Sequence, residues 1–169
     1  ILLHWPNPDV PLEETLGALN DVHDKGLTRN IGVSNFTSAQ LGQAVKLSRA
    51  PILTNQVEYH PFINQTSILE AARALGSSVT AFSPLAQGRV FDDPVLNEIG
   101  EAHGKTPAQI VLRWQVQSGF VPAPKSADPE RQAQNLDVFG FALTESDMAA
   151  LSGLDRPDPD MLDANSFGH

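Results

Sequence analysis

The sequence has no cysteine in its 169 residues, a single tyrosine, two tryptophans, and only 11 lysines and arginines against 20 aspartates and glutamates. Without cysteine there is neither a disulfide framework nor a thiolate nucleophile or ligand, the pattern expected of a cytoplasmic protein. The formal net charge of −9 repels nucleic acid and anionic membrane surfaces, so neither is expected as a partner. No apolar run approaches the ~20 residues that span a bilayer. The histidines (His4, His23, His60, His103 and His169) lack ligand-like spacing, and no metal site is expected. Nor is there a G-x-G-x-x-G, which argues against a Rossmann-type dinucleotide site. The stretch from Gly100 to Thr106, G-E-A-H-G-K-T, is one residue short of a P-loop and joins two predicted helices, where a P-loop needs a strand and then a helix. Asn35-Phe36-Thr37 and Asn64-Gln65-Thr66 match glycosylation acceptors, but nothing else points to secretion.

Five short apolar runs are present, each ending in polar or aromatic residues: ILLHW (1–5), IGVSNF (31–36), TNQVEYH (54–60), VTAFSPL (79–85) and VPAPKS (121–126). Stretches of helical periodicity separate them. This alternation predicts a parallel α/β fold whose functional groups cluster where strands end. The chain can bury the core of one domain, 1–169, with an extended tail over 156–169, but it falls short of the ~250 residues of a complete (β/α)₈ barrel. It opens with Ile1 inside an apolar run, which reads as a fragment truncated at its N-terminus. Pro122 and Pro124 lie in the last run, so that strand is expected to be short, irregular or at an edge.

Helix signals are well marked. Leu12, Leu16, Leu19 and Val22 recur at helical spacing before Gly26, and Ile68, Leu69, Ala72 and Leu75 before Gly76. Thr37 with Gln40 forms a capping box. Asp93-Pro94, Thr106-Pro107 and Asp128-Pro129 each set a capping side chain before a first-turn proline, and Thr144 with Asp147 opens a last helix through Leu151.

The run-ends carry the candidate chemistry. His4 closes the first run, where an imidazole can donate a hydrogen bond to a substrate oxygen or be a buried histidine satisfied by backbone. Ser34, Asn35 and Gln56 offer hydroxyl and amide groups that complement a carboxamide, though Ser and Asn also serve as turn residues. Phe82 can stack on a ligand ring or belong to the core. Lys125 and Ser126 precede a helix start and Arg131 lies one turn into that helix. Together they make a ready anion site, or else a solvated helix start with surface charges.

In wording and order these run-ends resemble the aldo-keto reductases over nearly the whole chain, matching the later part of that family's barrel. The segment TAFSPLAQGRVFDDPVL is most similar to bacterial 2,5-diketo-D-gluconate reductase-like members. The resemblance implies a partial (β/α)₈ TIM barrel of about the last five strands, from an NADPH/NADP⁺-dependent oxidoreductase that reduces an aldehyde or ketone to an alcohol. It implies catalytic His4, substrate-lining Trp5, and a nicotinamide held by Ser34, Asn35, Gln56 and Phe82. It assigns Ser83, Pro84, Leu85 and Gln87 to the pyrophosphate loop. Lys125, Ser126 and Arg131 are assigned to the 2′-phosphate, and Gln134 and Asn135 to the adenine. The family often has Glu where Gln134 stands. Its Asp, Tyr and Lys have no counterpart here, since Tyr59 lies in NQVEYHP, so the isolated chain is expected to be nearly inactive. The parent is expected to be a monomer acting on a small carbonyl compound. The alternatives are a non-catalytic cofactor-binding protein on the same fold, and an unrelated barrel using Lys125 and Arg131 for a sugar phosphate.

Overall fold

The structure, a computed structural model, describes residues 1–155. The tail expected over 156–169 lies outside the described residues. Strands and helices alternate: β1 (Leu2–Leu3), α1 (Leu12–Asp24), β2 (Ile31–Ser34), α2 (Ser38–Leu47), β3 (Ile52–Glu58), α3 (Thr66–Ala74) and β4 (Ser78–Phe82). A 3₁₀ segment (Ala86–Asp92) follows, then α4 (Pro94–His103), α5 (Pro107–Ser118), β5 (Phe120–Pro122), α6 (Pro129–Leu136) and α7 (Glu145–Ser152). The strands follow chain order in the sheet, β1-β2-β3-β4-β5, and β1, β2 and β3 pair in parallel. This is the α/β fold that the alternating runs predict.

The described residues fall into two compact units, 1–57 with 65–80, and 58–64 with 81–155. In the first, Leu16 of α1, Ile31 and Val33 of β2, Phe36, and Leu41 and Ala44 of α2 are at most 1% exposed. β2 is buried along its whole length, as a strand covered on both faces must be. Gly32 is required there: a Cβ would lie 2.6 Å from Leu2 Cδ2 and 2.7 Å from the Thr54 carbonyl oxygen. The β2–β3 register slips between Ile31 and Val33, and the offset sets Val33 beside Asn55 and Ser34 beside Gln56. The first apolar run yields a strand of only two residues, so His4 and Trp5 lie beyond β1.

In the second unit, Tyr59 is stacked between Trp114 of α5 and Phe120 of β5, with ring centroids 4.9 and 3.7 Å away. Burial pushes its hydroxyl pKa upward, with Asp155 adding to the shift. β5 includes Pro122 and ends before Pro124, the short strand that the prolines require.

Helix ends follow local chemistry. Thr37 with Gln40, Thr106 with Gln109 and Thr144 with Asp147 each form a complete capping box, while Asp93 and Asp128 accept from the first N–H groups of α4 and α6. Asp147 has a second role: its Oδ2 lies 2.9 Å from His103 Nε2. Burial pulls its carboxyl upward, but the His103 hydrogen bond and those from Thr144 outweigh this and hold it below its ordinary value. A carboxylate depressed in the folded state stabilises above its unfolded pKa and loses that contribution as pH falls through the folded one. Asp147→Asn is therefore expected to cost about 1–2 kcal/mol at pH 7. The gap to the parent should narrow below pH ~4, as urea melts across pH will read.

Candidate functional site

In the first unit one short turn organises the polar residues after β2. Asn35 has φ of +61°, a left-handed conformation that Asn adopts more readily than most residues. Its backbone N–H donates to the Gln56 carbonyl at 2.8 Å, the same oxygen that accepts from the Ser34 hydroxyl at 2.8 Å. Asn35 Nδ2 donates to the His4 carbonyl at 3.0 Å and to Ser34 Oγ at 3.2 Å. The structure therefore gathers His4, Ser34, Asn35 and Gln56 into one hydrogen-bonded group. It also decides what each can offer: both amide hydrogens of Asn35 are committed, so its remaining capacity is the Oδ1 acceptor. The His4 ring is exposed, 6.2 Å from the Trp5 ring, so the reading of His4 as a buried histidine satisfied by backbone does not hold.

The turn has a support that sequence reasoning missed. Asn55 is fully buried, and its side chain exchanges two hydrogen bonds with the Phe36 backbone, accepting from N–H at 3.3 Å and donating to C=O at 2.8 Å. The only local signal was an amide inside an otherwise strand-like run.

In the second unit a cavity of about 760 Å³ is open to solvent. One wall is the stretch after β4, with Ser83, Pro84, Leu85, Gln87, Gly88 and Phe91. The other comes from Pro124, Lys125 and Ser126 after β5 and from Arg131, Gln134 and Asn135 of α6. Thr106 and Ala108, at the start of α5, complete the lining. Every residue that the resemblance assigned to the pyrophosphate, 2′-phosphate and adenine lines this one cavity; Phe82 does not. Gly88, Phe91, Thr106, Ala108 and Pro124 had not been anticipated.

The start of α6, behind the cationic wall, does not offer the backbone donors expected of it. The Asp128 carboxylate occupies the first N–H groups of α6, accepting from Glu130 at 2.8 Å and Arg131 at 3.1 Å. Pro129 has no N–H, and Ser126 Oγ accepts from the Asp128 N–H at 3.1 Å. The helix start thus has no spare donor, and an anion would be held by the side chains of Lys125, Ser126 and Arg131. Among the described residues no carboxylate lines the cavity, so in a chain of net charge −9 its described lining is cationic.

The sequence model of the Aldo/keto reductase family matches residues 1–156. This chain belongs to that family. It is 43% identical over 164 residues to an aldo-keto reductase of Mycolicibacterium smegmatis, covering 94% of this chain and 58% of the relative. It is also 43% identical over 157 residues to the 2,5-diketo-D-gluconic acid reductase B of a Corynebacterium species, with 92% and 57% covered. Among solved structures, a variant of Gox0644 in complex with NADPH superposes with a TM-score of 0.89 at 39% identity, covering 98% of this chain and 62% of that one. The chain spans about three-fifths of the length of these aldo-keto reductases.

Proposed function

We propose that the chain is the cofactor-holding part of an NADPH-dependent carbonyl reductase, and that its five β/α steps are five of the eight of a (β/α)₈ barrel, within which 1–169 form a single domain. The observation that carries the reading is the cavity that Lys125, Ser126 and Arg131 line together with the 83–88 wall. Two cations and a hydroxyl suit a 2′-phosphate, and charge-assisted hydrogen bonds of this kind contribute about 1.5–3 kcal/mol each. Gln134 and Asn135 then face the adenine, the 83–88 wall follows the pyrophosphate, and Phe82 stacks on the nicotinamide. Asn35 Oδ1 accepts from the carboxamide N–H and the Gln56 side chain complements its other end. When bound, a nicotinamide would supply the hydride that reduces the carbonyl carbon of an aldehyde or ketone, and a proton taken from water or an acid would complete the alcohol. His4, exposed beyond β1, donates to the substrate oxygen and orients it, and Trp5 lines the substrate's approach.

A second reading, cofactor binding without catalysis by this chain, is favoured by Tyr59. The only tyrosine in the sequence is stacked in a core with its hydroxyl pushed upward, which suits packing and not proton donation.

Titration with NADPH and with NADH, followed by tryptophan fluorescence, tests the cofactor reading. Saturable binding that prefers NADPH by about tenfold or more is expected. Equal binding of the two, or none by a folded chain, would overturn it.

A further inference from the structure

The two walls of the cavity are built differently, and one depends on a residue that does not touch the cavity. The wall after β4 is strained: Ser83, Ala86 and Gln87 have φ of +47°, +48° and +54°, followed by Gly88 at +98°. Non-glycine residues in this region persist only where the surroundings hold them there. Two bonds inside the wall help, Ala86 N–H to the Ser83 carbonyl at 2.9 Å and Gly88 N–H to the Leu85 carbonyl at 2.8 Å.

The outside anchor is Gln115 of α5, which is 0% exposed. Its Nε2 donates to the Tyr59 carbonyl at 2.8 Å and to the Pro84 carbonyl at 3.2 Å. Both carbonyls lie just past strand ends, beyond Glu58 of β3 and Phe82 of β4. Its Oε1 has no hydrogen-bond partner among the described residues. A buried amide used on one side only is a costly choice where a methionine would fill the same space. Packing therefore does not account for glutamine here, whereas two donors aimed at two main-chain carbonyls do.

We propose that Gln115 is a positioning residue for dinucleotide binding. By pinning Pro84 it holds the 83–88 wall in the shape that receives the pyrophosphate, and so sets affinity for the whole dinucleotide while leaving capture of the 2′-phosphate to the opposite wall. This rests on the reading that the cavity takes NADPH.

Two probes separate the walls: NADP⁺ engages both, and adenosine 2′-monophosphate engages only the wall of Lys125, Ser126 and Arg131. By calorimetry, Gln115→Met is expected to raise the Kd for NADP⁺ about tenfold and to leave that for adenosine 2′-monophosphate within about twofold, because only the preorganised wall is lost. Equal weakening of both probes, as general structural damage would give, overturns the assignment, and so does weakening of neither. Should the methionine variant not fold, Gln115→His, which keeps a ring N–H on the same side chain, decides by the same comparison: a smaller loss confined to NADP⁺ supports the role, and equal losses overturn it. If the unmodified chain binds neither probe, the cofactor reading itself falls and takes this assignment with it. Binding of both by the unmodified chain, with no separation in the variants, sinks the role of Gln115 alone.

Discussion

Arg131→Ala is expected to weaken NADPH binding about 30-fold while leaving NADH within about twofold, the loss of a strong charge-assisted contact to a single phosphate. The selectivity follows from how the cationic wall is made. Since Asp128 caps α6, the helix contributes no free N–H to an anion, and a 2′-phosphate bound there would depend on side chains. The fold should tolerate the change. Arg131 is exposed, its backbone N–H remains capped by Asp128, and alanine is at least as good a helix former. Parallel titrations of the two nucleotides, with a thermal melt of each protein, measure both parts. The contrast should also shrink as salt rises, because exposed cations are screened. A loss shared equally between NADPH and NADH would show that Arg131 acts on the site's shape and not on the phosphate.

Asn55→Ala is expected to cost about 3 kcal/mol of stability, since it leaves a buried N–H and a buried C=O of Phe36 without partners. The bonds at stake tie β3 to the residue that follows the Ser34–Asn35 turn. The variant should therefore also loosen the group formed by His4, Ser34, Asn35 and Gln56. Urea unfolding followed by circular dichroism reads the first effect. Amide hydrogen exchange at Asn35, whose N–H is bonded to the Gln56 carbonyl, reads the second. A cost below about 1 kcal/mol, typical of an ordinary surface substitution, would mean that the Phe36 backbone finds other partners.

These two residues also mark the boundary of what the sequence could say. Helix starts were legible because each is a matter of three or four neighbouring residues: Thr37 and Gln40, Thr106 and Gln109, and Thr144 and Asp147 form their boxes whatever lies elsewhere. Alternation of runs and helices gave the α/β class for the same reason. Buried amides were not legible, because their partners are distant in sequence. Asn55 serves a residue 19 positions away, and Gln115 serves carbonyls 56 and 31 positions away. Neither distance leaves a trace in local pattern. The 3₁₀ segment was missed for a different reason. Ala86 and Gln87 sit in a conformation that their residue types disfavour, so propensity points away from the observed turn. At α6 the motif was read correctly and its consequence was not: Asp128 marks the helix start, and for that reason it fills the donors that an anion would have used.

The most direct test of the cofactor assignment is phosphorus NMR of NADP⁺ in the presence of the chain, with Arg131→Ala alongside. Contact with Lys125, Ser126 and Arg131 predicts that the 2′-phosphate resonance shifts and that its titration moves to lower pH, since neighbouring cations favour the dianion. Both effects should fall away in the variant. A 2′-phosphate signal that stays at its free position and titrates as in solution, in the presence of folded chain in excess, would contradict the account.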